Sequence, residues 1–158
     1  MSTLYILCGA PGCGKSNWAK NFIQNKNISY VSRDVARFQL VAENEEYFAH
    51  EDEVFKNFIE IIVNSLKAGV DTIADATHIN RKSRAKLIRA IDKYTTDYQI
   101  IFVHFTTSCS YLTCCERNNQ REGREKVPED VIKNMCNVFE RPTLAEDNRC
   151  YCVMHVKG

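Results

Sequence analysis

The sequence predicts an α/β fold, in which a five-stranded parallel sheet is flanked by helices on both faces and residues 1–158 form a single domain. Two observations predict it. Short apolar strands alternate with helical segments along the chain, which is typical of a parallel sheet covered on both faces. Residues 9–16 read Gly-Ala-Pro-Gly-Cys-Gly-Lys-Ser, the G-x-x-x-x-G-K-S pattern of a phosphate-binding P-loop, and they lie between an apolar run and a helical segment, as that loop requires.

The first half of the chain predicts three strands and four helices. The strands are short apolar runs, expected at 4–7, 28–31 and 70–74. The helices are expected at 17–24, 35–42, 52–67 and 81–93. The third helix is the clearest, because its apolar residues recur at helical spacing and Gly69 follows its end. The fourth begins after Asn80, a good N-cap residue, and combines an apolar stripe with six basic residues.

The second half predicts two strands and two helices. Residues 99–105 are apolar without alternation, which indicates a central strand. Ser108 is expected to cap a helix that ends near Gln120, and Pro128 suits the first turn of a helix that ends near 139. A charged loop separates these two helices, and residues 150–156 are expected to form the last strand.

The composition excludes several classes of protein. An apolar content of 44% and a net charge of +1 are ordinary for a globular domain and do not indicate a polyanion-binding molecule as a whole. No apolar run approaches the length that spans a membrane. The chain starts directly into a strand, without a signal segment, so we expect a cytoplasmic protein without a membrane partner.

Eight cysteines are many for a chain of this length. Cys114-Cys115 and Cys150-x-Cys152 lack the usual C-x-x-C spacing of zinc ligands, and a cytoplasmic setting disfavours disulfides. We expect free thiols, with a zinc site as the alternative. Cys13 lies inside the P-loop, so its oxidation should impair nucleotide binding.

The P-loop residues predict a nucleotide site. Glycines let successive backbone N–H groups converge on one anion, and the following helix N-terminus adds partial positive charge. Lys15 can reach the β- and γ-phosphates, and the Ser16 hydroxyl can ligate Mg²⁺. We therefore expect ATP, or another NTP, with Mg²⁺ as cofactors. The candidate nucleotide-binding residues of this segment are Gly9, Pro11, Gly12, Cys13, Gly14, Lys15, Ser16 and Asn17.

Polar residues follow the predicted strands at the edge where open parallel sheets bind ligands. Asp75, close to Thr77 after the third strand, can accept a hydrogen bond from Ser16 or hold a magnesium-bound water, and the alternative is a helix-capping role. Asp34 follows the second strand. It is a candidate general base for an acceptor hydroxyl, and capping of the next helix is the alternative.

Arginines supply candidate phosphate ligands. Arg37 lies one helical turn beyond Asp34 and can hold a phosphate on the acceptor, with a solvated arginine as the alternative. Arg117, Arg121 and Arg124 cluster before the last helix. A mobile lid that carries them would neutralise charge in a transition state, and the alternative is a solvated charged turn.

Four segments together carry a resemblance that spans most of the chain. They are Gly-Ala-Pro-Gly-Cys-Gly-Lys-Ser-Asn-Trp-Ala at 9–19, Ser-Arg-Asp-Val-Ala-Arg at 32–37, Ile-Ala-Asp-Ala-Thr-His-Ile-Asn-Arg at 73–81, and Arg-Asn-Asn-Gln-Arg at 117–121 leading to Val-Pro-Glu-Asp-Val at 127–131. These segments resemble the P-loop kinase group that contains the phage-type 5′-hydroxyl polynucleotide kinases. The Arg-Asp-x-x-Arg segment at 33–37 is the piece that points to a polynucleotide kinase.

The resemblance implies a role for each candidate residue. Lys15 and Ser16 would hold the phosphates and magnesium, and Asp75 would support the metal site. Asp34 would be the general base, and Arg37 would contact the acceptor's phosphate, together with Thr77. Arg121 would be the lid arginine on the donor phosphates, with Arg117 beside it. Glu122 is an extra residue in this lid, which makes Arg124 the alternative, and Asn17 stands where many relatives have threonine.

Three functions are compatible with these residues. The first is ATP-dependent phosphorylation of a DNA or RNA 5′-hydroxyl in end healing or repair, and the second is a kinase of a nucleoside or sugar. The third is a nucleotide-binding switch without catalysis, which would need no acceptor base such as Asp34. The basic helix at 81–93 favours a nucleic-acid acceptor over a small molecule. No Asp-x-Asp-x-Thr phosphatase motif follows within residues 1–158, so we expect a kinase domain alone and not a bifunctional end-healing enzyme.

Overall fold

The structure, a computed structural model, describes residues 1–123 and 126–158, with the backbone alone at 108 and 109. Its strands are β1 (Ser2–Cys8), β2 (Ile28–Ser32), β3 (Asp71–Asp75), β4 (Tyr98–Phe105) and β5 (Cys150–Val156). They are all parallel and lie in the order β2-β3-β1-β4-β5. The central strand is therefore β1, whose carboxyl end leads directly into the P-loop.

The helices lie between successive strands, as the alternation along the sequence predicts. They are α1 (Lys15–Ile23), α2 (Arg33–Leu40), α3 (Glu51–Lys67), α4 (Arg81–Asp92), α5 (Tyr111–Asn119) and α6 (Glu129–Val138). Short 3-10 turns lie at Thr106–Cys109 and Leu144–Glu146. The predicted parallel sheet of five strands is confirmed. Of the helices that the structure describes, none has the length and apolar character needed to span a membrane.

Two apolar clusters, one on each face of the sheet, form the core. One face packs against α3 and α4 through side chains such as Phe58, Ile62 and Leu87, which are almost fully buried. The other face packs against α1, α5 and α6, through Ala19, Cys114 and Ile132 among others. Successive residues of β1 alternate between the clusters, because side chains along a strand point to opposite faces. Helices on both faces leave the carboxyl ends of the strands as the open edge.

α2 and α5 begin two or more residues away from the predicted starts, as does α1, which begins at Lys15, while α3 begins one residue early, at Glu51. α2 begins at Arg33, and the Ser32 side chain caps it by accepting a hydrogen bond from the Val35 backbone N–H at 3.3 Å. Ser32, and not Asp34, is therefore the N-cap of α2, and Asp34 lies in the first turn of the helix. α5 begins at Tyr111 after a 3-10 turn over Thr106–Cys109, so the helix predicted directly after Ser108 starts later.

One cation of the basic helix α4 is not on the surface. Arg84 has 0% exposure and forms an ion pair with Glu146, through Nε–Oε1 at 2.8 Å and Nη2–Oε2 at 3.1 Å. Its Nη1 also donates to the backbone carbonyl of His78 at 2.8 Å. Arg84 therefore joins α4 to the turn before β5, and it is unavailable to a ligand at the surface.

Candidate active site

The P-loop connects β1 to α1 and depends on glycine at two positions. Gly12 and Gly14 have φ angles of +84° and +97°, which residues with a Cβ atom rarely adopt. A Cβ on Gly12 would lie 2.5 Å from the carbonyl oxygen of Cys114, so α5 packs directly against the loop. The Gly9 backbone N–H donates to the carbonyl of Thr77 at 2.8 Å, which ties the loop to the end of β3.

Lys15 folds over its own loop. Its Nζ donates to the carbonyl oxygens of Gly9 and Ala10 at 2.9 and 3.0 Å. These bonds hold the ammonium group beside a cleft at the carboxyl edge of the sheet, and Lys15 lines this cleft. An ammonium held over a ring of backbone N–H groups can bind the outer phosphates of a nucleotide.

Ser16 and Asp75 meet as the sequence predicts. The Ser16 hydroxyl donates to Asp75 Oδ2 at 3.2 Å, and the Tyr30 hydroxyl donates to the same carboxylate oxygen. Burial raises the pKa of Asp75, while the charge of Lys15 acts in the opposite direction. Burial and the neighbouring Asp75 raise the pKa of Tyr30 to about 12, so its hydroxyl keeps its proton.

This donor set fits a magnesium ion. A serine hydroxyl and one carboxylate are hard oxygen ligands, and Mg²⁺ takes its remaining ligands from water and phosphate oxygens. Within the described part of the chain, no group of three or more histidine, cysteine, aspartate or glutamate side chains could hold a metal by itself. Ser16 and Asp75 would therefore hold the ion only together with a bound nucleotide.

A cleft of about 250 Å³ opens at the carboxyl ends of β1, β2 and β3. It brings together predicted residues from four separate segments of the chain. These lining residues are Pro11, Gly12, Lys15, Ser16, Asp34, Arg37, Asp75, Thr77 and Arg121. The cleft therefore places the candidate base and the candidate phosphate ligands in one space.

Asp34 stands at the mouth of this cleft with its side chain 60% exposed. Its Oδ1 accepts hydrogen bonds from Arg37 Nη1 and from the Tyr47 hydroxyl, the latter at 3.0 Å. No other hydrogen bond to this carboxylate is made within residues 1–123 and 126–158. Oδ2 is therefore able to accept a proton from a ligand.

Arg37 is not the solvated arginine that the sequence leaves as an alternative, since its side chain is only 7% exposed. Its Nε and Nη2 donate to Glu51 at 2.7 and 3.2 Å, and its Nη1 donates to Asp34 and to Tyr47. A guanidinium has five N–H donors, and these contacts engage four of them. Arg37 therefore joins α2 to the start of α3 and fixes the position of Asp34.

Arg33 lies beside this network and has more donors to offer. Its Nη2 donates to Glu51 Oε2 at 2.9 Å, and its guanidinium lies over the Phe55 ring at 5.3 Å. Its Nε is buried and has no hydrogen-bond partner within the described residues. Since a buried N–H without a partner is costly, this donor is a candidate for an anionic ligand.

A second, more open cleft of about 620 Å³ lies on the other side of the P-loop. Asn17, Arg117 and Arg121 line it. The Arg117 guanidinium donates to the carbonyl oxygens of Gly12 and Gly158 at 3.3 and 2.9 Å, so it braces the loop from outside. Arg121 lines both clefts. The predicted lid residue Arg124 lies outside the described residues.

The segment that carries Arg121 is closed by a pair of hydrogen bonds at its base. The Asn118 side chain, almost fully buried, accepts from the Val127 N–H at 2.9 Å and donates to the Val127 carbonyl at 2.6 Å. The end of α5 is thereby fixed to the residue that precedes Pro128, so that Arg121 starts from a rigid base.

Four residues of the site escape the sequence analysis: Tyr30, Tyr47, Glu51 and Asn118. Tyr30 stands among apolar residues in β2, and Glu51 is one of several acids between 43 and 53. No local pattern marks either one. Asn118 and Val127 both fall within the segments that carry the resemblance, at 117–121 and 127–131, but nothing in the sequence pairs them.

Comparisons with known proteins show the family of the chain and its fold. The AAA_33 family model, described as an AAA domain, matches residues 4–142. The L-seryl-tRNA(Sec) kinase of Methanococcus maripaludis is 28% identical over 144 residues, which cover 88% of this chain and 53% of that protein. The chain thus spans about half of this curated relative's length.

Solved structures share the fold. A chain of the Pnkp1/Rnl/Hen1 RNA repair complex has a TM-score of 0.72 and 25% identity, over 87% of this chain and 43% of that chain. A gluconokinase from Sinorhizobium meliloti 1021 has a TM-score of 0.59 and 16% identity, over 99% of this chain and 82% of that chain. The chain has the P-loop NTPase/kinase fold, and this fold alone does not select an acceptor.

Proposed function

The chain belongs to the AAA domain family, and we propose that it is an ATP-dependent kinase that phosphorylates the 5′-hydroxyl end of a polynucleotide. The observation that carries this proposal is the position of Asp34. Its carboxylate lines the cleft that Lys15, Ser16 and Asp75 also line, and its Oδ2 accepts no hydrogen bond within the described residues. A nucleotide-binding switch has no use for a carboxylate placed there, whereas phosphoryl transfer to a hydroxyl requires one.

The donor half of the reaction belongs to the P-loop. ATP, or another NTP, would place its phosphates on the loop N–H groups, with Lys15 on the β- and γ-phosphates. Ser16 and Asp75 would hold Mg²⁺, which neutralises charge on the phosphate oxygens when it is bound. Arg117 and Asn17 line the outer cleft beside the loop and would contact the nucleotide there.

The acceptor half belongs to Asp34. The acceptor oxygen bonds to the γ-phosphorus while the bond to the β–γ bridging oxygen breaks, and the hydroxyl proton passes to Asp34 Oδ2. The Arg37 guanidinium and the Tyr47 hydroxyl hold Oδ1, so the carboxylate presents its free oxygen in one orientation. Arg121, which lines both clefts, is positioned to neutralise the charge that develops between donor and acceptor.

Arginines beside Asp34 support an acceptor that carries a phosphate. Arg37 has one N–H left for it, while Arg33 has an unpartnered Nε within the described residues. We therefore assign the acceptor's first internucleotide phosphate to Arg33 and Arg37 together, with Thr77, which lines the same cleft, as a further contact. A free nucleoside or sugar would leave these cations unused.

A second candidate acceptor is the hydroxyl of an aminoacyl-tRNA. The 28% identity to an L-seryl-tRNA(Sec) kinase favours it, because the substrate in that enzyme's name is an RNA whose seryl group carries a hydroxyl. A small-molecule acceptor is the remaining alternative, and the gluconokinase with the same fold belongs to that class.

Labelled phosphate transfer from γ-labelled ATP separates these acceptors. The panel contains a 5′-hydroxyl oligonucleotide, its 5′-phosphorylated counterpart as the matched control, seryl-tRNA, a nucleoside and a sugar. We expect label on the 5′-hydroxyl oligonucleotide and none on its phosphorylated counterpart. Label on seryl-tRNA alone, or on the nucleoside or sugar alone, would replace the proposed substrate.

A further inference from the structure

A groove between α3 and α4 lies outside the chemistry described so far. It has a volume of about 610 Å³, and its floor is apolar, with Phe55, Ile59, Val63 and Ala90 among the lining residues. Both helices begin at the carboxyl edge of the sheet, where the active-site cleft lies. The groove therefore runs from the active-site edge towards the opposite edge of the molecule.

Exposed cations form a stripe along α4, and one of them, Lys93, lines the groove. Lys82, Lys86, Arg89 and Lys93 are exposed and recur at intervals of four, three and four residues, which places them on one stripe of the helix. No acidic residue occurs between 81 and 91, and Asp92 is paired with Arg149 at 2.8 Å. This stripe is therefore not neutralised by acids of its own helix.

The α3 side adds two cations and one anion. Lys56 and Lys67 line the groove, and Glu60 is the acidic residue among its lining side chains. Together with Lys93, the lining thus carries three positive charges and one negative charge. At a rise of about 1.5 Å per residue, the stretch of α3 from Phe55 to Lys67 is roughly 18 Å long.

Phe55 connects this groove to the acceptor side of the active-site cleft. The Arg33 guanidinium lies 5.3 Å from the centre of its ring, and Lys86 Nζ lies 4.8 Å from it. Arg33 also lines the active-site cleft. Arg33 and Lys86 thus meet at Phe55 beside the acceptor cleft, and Lys93 lies two helical turns beyond Lys86 in the groove.

We propose that the α3/α4 groove binds the single-stranded polynucleotide downstream of the phosphorylated 5′ end. This inference rests on the proposed function, and it describes the path that the bound acceptor strand takes out of the cleft. Cations beside an apolar floor and an exposed aromatic ring suit a single strand, whose phosphates are anionic and whose bases stack. Tyr94, 62% exposed at the far end, offers such a ring. A stacked strand would place about five nucleotides in this length.

The test compares acceptors that reach the groove with acceptors that do not. The double variant Lys86→Gln/Lys93→Gln is assayed on a 5′-hydroxyl dinucleotide and on a single strand of roughly twelve nucleotides, which is longer than the groove. We expect a rise of about tenfold in KM for the long acceptor, and an unchanged KM for the dinucleotide. Lys20→Gln, an exposed lysine on α1 at the opposite face, is the matched control and should change neither value.

Binding is measured separately, by fluorescence anisotropy of a 3′-labelled 5′-hydroxyl single strand against salt concentration. Loss of two phosphate contacts should reduce the slope of log K against log salt by about 1.4. Glu60→Gln removes the acidic residue of the groove and should tighten binding. If both variants keep the wild-type affinity and the wild-type slope of log K against log salt, the proposal that this groove binds a single strand is wrong. If wild-type protein labels no polynucleotide, the proposed function fails, and the anisotropy measurement still decides whether the groove binds a strand.

Discussion

Arg37 and Glu51 form a two-point ion pair, Nε–Oε1 at 2.7 Å and Nη2–Oε2 at 3.2 Å, that joins α2 to the start of α3. The same guanidinium holds Asp34 through Nη1. Glu51 therefore acts on the acceptor side of the site without contacting the reacting atoms. It positions Arg37, and Arg37 positions the candidate base.

Glu51→Ala should weaken both the fold and the acceptor side of the site. Arg37 has a side chain only 7% exposed and would lose the partner of two of its donors, so we expect a loss of about 1–3 kcal/mol in the free energy of unfolding. The KM for the acceptor should rise while the KM for ATP stays constant. Urea denaturation and steady-state kinetics measure these effects. Glu53→Ala, an exposed acid on the same helix, is the control and should change stability by less than about 0.5 kcal/mol.

Substitutions of Arg117 and Arg121, the two described arginines near the lid, should have different effects on kcat and on the KM for ATP. Arg121 lines both clefts, so Arg121→Ala should lower kcat more than it raises the KM for ATP, because its charge is needed most in the transition state. Arg117 braces the P-loop through Gly12, so Arg117→Ala should mainly raise the KM for ATP. If Arg124→Ala reduces kcat in this way and Arg121→Ala does not, the lid arginine is Arg124.

The free energy of unfolding should decrease as the pH is lowered from about 6.5 to 4. His78 is buried, with Nδ1 at 2.7 Å from the Leu7 carbonyl oxygen, and burial lowers its pKa to about 4. Burial and the neighbouring His155 lower the pKa of His104 to about 4 as well. Since both folded-state pKa values lie below the unfolded value near 6.5, the unfolded chain binds more protons in this window. The stabilisation is complete above pH 6.5 and is lost as the pH falls.

A single variant isolates this effect. His78 has a φ angle of +40°, which asparagine tolerates, so His78→Asn removes the titrating group without a new backbone penalty. The slope of unfolding free energy against pH should be smaller in the variant by up to about 1.4 kcal/mol per pH unit. Urea denaturation at several pH values measures it. Identical slopes in both proteins would show that His78 does not keep a depressed pKa.

Local patterns predict the sheet, its helices and the P-loop, because each is determined by neighbouring residues. The edge of the sheet that holds the candidate site could also be predicted, because parallel strands bring their carboxyl ends to one edge. Arg84 could not be separated from the other cations of α4, because its burial depends on Glu146, 62 residues away. Likewise, Tyr30 joins Asp75 across 45 residues, and such pairs leave no periodic trace in the sequence.

The start of α2 shows a different limit. The sequence predicts that this helix starts at 35, directly after Asp34, although Ser32 is an equally good N-cap residue. In the structure Ser32 is the cap, since it accepts from the Val35 N–H, while Asp34 accepts from Arg37 and Tyr47. A shift of two residues in the helix start thus changes Asp34 from a possible cap to a group that faces the cleft.

This difference makes Asp34→Asn the decisive substitution for the proposed mechanism. Because Ser32 provides the cap, the variant loses only the charge of the Asp34–Arg37 pair and should keep its stability within about 1 kcal/mol. Asparagine keeps the size of the side chain and can still accept from Tyr47, but it cannot take the acceptor's proton. If Asp34 is the general base, kcat should fall by roughly 10²–10⁴, with ATP binding nearly intact. Tyr47→Phe, which removes one hydrogen bond to Oδ1 and leaves the carboxylate, should reduce kcat far less. Full activity of Asp34→Asn on a 5′-hydroxyl acceptor would remove the proposed base, and with it the reason to place the acceptor hydroxyl at this end of the cleft.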